Sequence, residues 1–353
     1  MVRALWFCVL ALACAIAAPA AAAPDLFAND APPLKLVLTA RFDDLARNAP
    51  HSTDPYPATL SASDGTGPEQ SFSIQVRPRG ISRRSHDFCE FPPLALEFPD
   101  TGLHGTLFHG QKKLKLVTYC RNAADFEQRI VVEYLAYRLF NLMTPMSYRV
   151  RPAQVTYRRR DGDAGVTRFG FLIEDTDNVA DRNDLDELKA EARGMTMRQL
   201  DAHGTARVAV FEYMVSNLDF DFVAGPPGDH CCHNIKLIAA RHATLASATH
   251  VVPLPYDFDY SGLVDAPYAV TPESLPVNTV TQRLFRGYCQ HNGEIASVVA
   301  EFQAHHAEML AVVNNETRLT PNVRNKTTRY LEGFFAIVAD PAKVQREIVG
   351  RCR

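Results

Sequence analysis

The sequence predicts an α+β chain built as two lobes. Short segments of period-2 alternation crowd residues 24–178, with one long helical pattern among them. From about residue 179, apolar residues recur at helical spacing and strands become few and short. Strands first and helices afterwards are the mark of α+β architecture, and 353 residues allow one large or two ordinary domains. The boundaries that follow are a leader at 1–23, a β-rich lobe at 24–178 and an α-rich lobe at 179–353.

The leader reading rests on Arg3, the apolar run Ala4 to Ala18 and the small residues Ala20 to Ala23, which are the parts of a secretory signal. That run is too short to span a bilayer, and no later stretch is long and apolar enough. A secreted or periplasmic chain of bacterial type is expected. Residues 24 to 33, rich in Pro and Ala, read as loose.

Leu34 to Leu38 opens the first strand, residues 48 to 70 read as turns, and Ser71 to Val76 alternates as a half-buried strand. Leu94 to Phe98 and Lys113 to Val117 alternate too. Asp125, with Gln128 three residues on, predicts a capped helix whose apolar face carries Val131, Leu135, Leu139 and Leu142, ending at Pro145. Strands follow at Val150 to Tyr157 and Arg168 to Ile173. In the second half, helices are predicted at Leu185 to Ala192, Met197 to Ala202, Thr205 to Ser216, Ile295 to Val313 and Thr328 to Ile337. Strands are predicted there at Asn234 to Ile238 and His250 to Leu254.

With 37 basic and 40 acidic residues, the formal charge is −3, and losing Arg3 with the leader makes it one unit more negative. This balance gives no reason to expect nucleic acid or an acidic membrane as a partner. Cys8 and Cys14 leave with the leader. The remaining Cys89, Cys120, Cys231, Cys232, Cys289 and Cys352 favour disulfides in an exported chain. Cys89 with Cys120 is the favoured pair, because both flank strands of one sheet. The neighbours Cys231 and Cys232 are expected to pair outward with different partners.

Polar residues are densest in the second half. The helix Thr205 to Ser216 runs into Asn217-Leu218-Asp219-Phe220-Asp221. A Gly/Pro loop then leads to Asp229-His230-Cys231-Cys232-His233-Asn234-Ile235-Lys236, and after another strand comes Pro255-Tyr256-Asp257-Phe258-Asp259. Phosphoryl transfer needs this order: a carboxylate to orient the attacking hydroxyl, then an Asn and a second carboxylate to hold the metal that bridges the phosphates.

In order and spacing this segment resembles the spore-coat CotH family of atypical secretory kinases and, more distantly, HipA-type kinases. Arg77-Pro78-Arg79-Gly80, the Lys113 to Val117 strand, the helix after it and Phe171-Leu172-Ile173-Glu174-Asp175 resemble successive parts of the same family's N-lobe. The resemblance covers residues 70 to 265. It implies a two-lobed, protein-kinase-like fold and a phosphotransferase using ATP with Mg²⁺ or Mn²⁺ on a protein or envelope component. It also implies that Asn234 and Asp257 bind the metal, with Asp259 in support, and that Asp219 is the catalytic carboxylate. Asp229 competes for that role, five residues before Asn234. Lys115 would reach the phosphates, oriented by Glu133 or by Glu127, and Glu174 and Asp175 would lie at the hinge. The chain departs from the pattern in having no glycine-rich loop and in presenting Asp257-Phe258-Asp259 where Asp-Phe-Gly is usual.

Plainer readings stand beside these. Asp219 and Asp221 could be solvated loop acids, Lys115 a solvated strand face, and Arg77, Arg79, Arg83 and Arg84 a solvated turn rather than a phosphate clamp. Adjacent His230, Cys231, Cys232 and His233 lack the separated pairs of a zinc site. No Gly-x-Ser-x-Gly elbow points to a serine hydrolase, while Asp257 and Asp259 leave room for a paired-carboxylate glycosidase. A non-catalytic binding or assembly protein of the cell envelope is the alternative from a different class.

Overall fold

The computed structural model describes residues 25–28, 31–159, 163–226 and 230–353. The leader expected at 1–23 and the candidate Asp229 lie outside the described residues.

The first half contains β1 (Leu34–Ala40), α1 (Phe42–Asn48), β2 (Tyr56–Ser63), β3 (Gln70–Pro78), β4 (Leu94–Glu97), β5 (Lys113–Val117), α2 (Ala124–Met143), β6 (Val150–Arg159) and β7 (Val166–Ile173). After these come α3 (Thr176–Asp181), β8 (Leu185–Glu187), β9 (Ala190–Glu191), α4 (Ala202–Val215), β10 (His230–Cys231), β11 (Ile235–Ala240) and β12 (Val252–Pro255). The chain finishes with α5 (Ile295–Ala304), α6 (His306–Asn314), α7 (Pro321–Val338) and α8 (Pro341–Glu347).

The two-lobed, kinase-like fold expected from the resemblance is not what forms. The first seven strands close into a mixed barrel in the order β1-β2-β3-β4-β5-β7-β6. Closure comes from a parallel pairing of β1 with β6 that matches Leu34 to Ala153 and Ala40 to Arg159. The alternation explains why the barrel fills: Leu34, Leu36 and Leu38 of β1, Leu60 of β2, Ile74 and Val76 of β3, and Leu114 and Leu116 of β5 all point inward and are buried. Gly170 lets β7 pass close to β5, since a Cβ there would stand 2.6 Å from the Val117 carbonyl oxygen.

The barrel's other face completes a second core. Phe169, Phe171 and Ile173 point out of β7 and join α2, α4 and the C-terminal helices in one buried cluster. Helix α2 therefore belongs to the helical core as much as to the barrel. Its N-cap, Ala123, offers no side-chain cap. The expected cap pair does other work: Asp125 lies inside the first turn, and Gln128 bonds the Arg318 carbonyl and the Thr320 N–H.

Other expectations shift as well. Residues 56–63, read as turns, form β2, which pairs along its length with both β1 and β3. Leu185 to Ala192, read as a helix, is the two short strands β8 and β9, because β11 and β10 supply their partners. Met197 to Gln199 makes one 3-10 turn, and the helix read across 295–313 is broken at His305. Among the described residues no helix is long and apolar enough to cross a membrane.

The disulfides are Cys89–Cys120, as the sequence favours, with Cys289–Cys352 and Cys231–Cys232. The last corrects the outward pairing expected for those neighbours.

Candidate functional site

The site lies where the outer face of β5 meets the loops around β11 and β12. In the ladder Ala95 stands opposite both Arg77 and Lys115, which puts these residues on one outward row. Lys115 is half-buried, its Nζ lying 4.1 Å from the Tyr256 ring centre and 5.7 Å from that of Tyr148. Burial pushes its ammonium down to about 7, helped by the charges of Arg79 and Lys236 and opposed by those of Asp257 and Asp175. Cations carried by β5, the end of β3 and β11 thus act on one another. The buried Arg79 Nε has no hydrogen-bond partner among the described residues.

Asp257 follows β12 directly. It adopts a left-handed backbone (φ 65°, ψ 58°), uncommon for a residue with a Cβ, and its N–H donates to the Tyr137 hydroxyl at 2.9 Å. Its carboxylate is the charge common to Lys115, Arg83, Glu133, Asp259 and His233.

Glu133, expected to orient Lys115, does something else. It is buried on α2 and pairs with Arg83 at 3.2 Å. Arg83 also donates to the Thr118 carbonyl at 3.2 Å and stands 3.9 Å from Asp259, which accepts from the Tyr268 hydroxyl at 3.0 Å. Burial pushes the Glu133 carboxyl up to about 7 against the pull of Arg83, with Asp257 adding to the push. Burial and neighbouring Asp257 likewise raise Asp259 well above the usual range. Arg83, read as part of an exposed basic run, is thus a buried strut joining the barrel, α2 and the Asp257 loop. Glu127 lies apart, pairing with Arg168 at 3.8 Å.

On the helical side, α4 ends at Ser216 in the left-handed region and delivers Asp219. Its Oδ1 meets His233 Nε2 at 2.7 Å, and its Oδ2 accepts from Asn234 Nδ2 at 3.0 Å. Its N–H donates to Asn217 Oδ1 at 3.1 Å, and its own carbonyl accepts from Asn234 Nδ2 at 2.6 Å. The Asp219 hydrogen bond raises His233 above its ordinary value against the effect of burial. Asp221 is a structural acid: it accepts from the Val223 and Ala224 N–H groups at 3.0 Å and pairs with Arg353 at 2.9 Å. Behind them Glu212 is fully buried on α4, and burial holds its carboxyl well above the usual range. A cavity of about 360 Å³ opens beside Asp219, lined also by His233, Arg286, Phe220, Pro226 and Pro272.

Asn234 and Asp257 come together because β11 and β12 form a hairpin. Ile235 stands opposite Pro255, and the Tyr256 N–H continues the ladder to the Asn234 carbonyl at 3.1 Å. The Asn234 amide nitrogen is committed to Asp219, and Oδ1 is the amide's acceptor. An amide oxygen and a carboxylate are hard donors. Mg²⁺ takes one or two such groups and completes its octahedron with water and phosphate oxygens, so the donor chemistry fits. Among the described residues no group of three or more His, Cys, Asp or Glu could hold a metal by itself. Asp259, spent on Arg83 and Tyr268, supports the Asp257 loop from within.

Glu174 is buried at the barrel's exit, where it pairs with Arg182 at 2.9 Å and accepts from the Arg149 N–H at 3.0 Å. It anchors the crossing between the two halves. Asp175 caps α3 and lines a cavity of about 600 Å³ with Asp177, Asp181, Asp186 and Lys189. Sequence reasoning missed Lys236, Tyr148, Tyr256 and Tyr137 as site residues. Alternation along 235–240 does put Lys236 opposite its apolar neighbours, but cannot say which strand it faces.

No protein-family model matches the chain, and no curated protein matches it.

Proposed function

We propose that the chain is an exported, metal-dependent phosphotransferase acting on a hydroxyl of a protein or envelope component, built on a barrel-and-helix scaffold. The observation that carries this reading is the meeting of Lys115, Arg79 and Lys236 with Asp257, across from Asp219 and Asn234. Three cations in a partly desolvated cleft suit the phosphates of a donor such as ATP. Asp257 and the Asn234 amide oxygen would hold Mg²⁺ or Mn²⁺, which when bound neutralises charge between the phosphates. Asp219, clamped on several sides, would orient the acceptor hydroxyl. The hydroxyl oxygen bonds to the terminal phosphorus, the bond to the leaving diphosphate breaks, and the hydroxyl proton passes to the Asp219 carboxylate. The signal-like opening and the disulfides support export.

A second reading is a non-catalytic envelope binding protein. It is favoured by the pairing of Glu133 with Arg83, which leaves Lys115 against aromatic rings instead of a carboxylate. Calorimetry of the disulfide-intact chain with ATP and Mg²⁺ or Mn²⁺, beside Asp257→Ala, separates the two. Metal-dependent binding that the variant loses is the expected result. Absence of binding with either metal refutes the phosphotransferase reading and leaves the binding protein.

A further inference from the structure

The segment that presents Arg286 touches the candidate catalytic loop at two backbone points. Arg286 Nη1 donates to the Leu218 carbonyl and, at 2.9 Å, to the Phe220 carbonyl, the residues on either side of Asp219. Its guanidinium also lies 5.1 Å from the Phe220 ring centre. Arg286 is held in turn by Arg353, whose Nε donates to the Arg286 carbonyl at 3.0 Å. The Arg353 backbone pairs with the same segment, its N–H to the Gly287 carbonyl at 2.9 Å and its carbonyl to the Cys289 N–H at 3.1 Å. The Arg353 side chain reaches the loop independently through Asp221 at 2.9 Å. Next to Arg353, Cys352 is joined to Cys289, which is solvent-exposed, whereas Cys89 and Cys120 are each 1% exposed.

We propose that Arg286 is a positioning residue for Asp219 and that the Cys289–Cys352 disulfide locks it in place, making the site's geometry sensitive to thiol reductants. This rests on the functional reading above for Asp219's role. A dithiol reductant would supply two electrons. Its sulfurs form a new disulfide, the Cys289–Cys352 bond breaks, and two protons end on the freed thiols. Arg353 would then lose its covalent tether, and its hold on Arg286 and Asp221 would rest on hydrogen bonds and the ion pair alone.

The test compares the full chain before and after mild reduction without denaturant, beside Cys289→Ser/Cys352→Ser, Arg286→Met and Arg286→Lys. Alkylation should reach Cys289 and Cys352 before Cys89 and Cys120. Hydrogen exchange across residues 217–222 should rise about tenfold in every perturbed form except Arg286→Lys, which keeps a donor and should recover part of the protection. Exchange across 131–139 of α2 should stay unchanged. ATP turnover with Mn²⁺ should lose about tenfold in kcat with KM for ATP unmoved. Unaltered exchange at 217–222 overturns the proposal, as does an equal rise at 131–139. Exchange tests the clamp and ATP calorimetry tests the functional reading, so either can fail alone.

Discussion

Replacing Arg83 by Met keeps an apolar stem of similar length and removes the one cation facing two buried carboxyls. Glu133 and Asp259, 1% and 3% exposed, would then share their space without their nearest cation, leaving Glu133 only the more distant charge of Arg79. Breaking a buried pair from one side costs about 3–5 kcal/mol. Unfolding entropy of about 2 cal/mol/K per residue over this length turns that into a fall in Tm of roughly 4–7 °C. The sign with pH follows from the carboxyls. Burial pushes Glu133 up to about 7 even against the pull of Arg83, and removing that cation raises it further. The deficit should therefore be largest at pH 8 and should shrink as acid protonates both groups toward pH 5. Adding Glu133→Gln should restore about half the loss at pH 8. Thermal unfolding by circular dichroism at the two pH values, with disulfides intact, measures all of this. A shift under about 1 °C, or a deficit that grows on acidification, would refute the buried-strut reading.

Three further outcomes test the site and the helical core. With its ammonium pushed down to about 7, Lys115 should acylate at pH 7.5 ahead of exposed Lys113, and Arg79→Gln should slow that reaction by raising it again; mass spectrometry of modified peptides reads both. Donor phosphates should return the proton to Lys115, so ATP binding near pH 7.5 should show proton uptake when calorimetry is repeated in buffers of different ionisation enthalpy. His203 is raised above its ordinary value because hydrogen bonds to Glu294 at 2.9 Å and Glu301 at 2.6 Å outweigh burial and the nearby Arg207. Its contribution is fully present below the unfolded value near 6.5 and is lost as pH rises through the raised one, so His203→Gln should flatten the urea midpoint across that window.

Much of the local structure was legible because strand alternation is a one-dimensional signal. Lys113–Val117 formed with the bounds read from sequence, and Lys115 faced away from Leu114 and Leu116. The overall architecture was not legible. Pairing of β1 with β6 joins residues more than a hundred positions apart, and nothing in either strand's pattern says which partner it takes or that the sheet closes. Residues 56–63 illustrate the other failure: their Pro, Ser and Ala are poor strand formers, and two flanking strands overrode that preference. At the candidate site, order along the chain singled out Asp219, Asn234 and Asp257, of which Asp219 and Asn234 touch and Asp257 follows the adjoining strand. Their neighbours were missed, because Arg83 reaches Glu133 across fifty residues and looks in sequence like any surface arginine.

Barrel closure also decides what can move. Every strand of β1–β7 is hydrogen-bonded on both sides, so shifting one means breaking ladders with two neighbours at once. Arg79 and Lys115 therefore travel as one body, with their spacing fixed by the staves that carry them. Lys236, Asn234 and Asp257 ride on a separate three-stranded sheet. Any opening of the cleft has to shift that smaller sheet and its loops, and so has to part the Asp257 loop from Arg83 and from the Tyr137 hydroxyl that hold it to the barrel side.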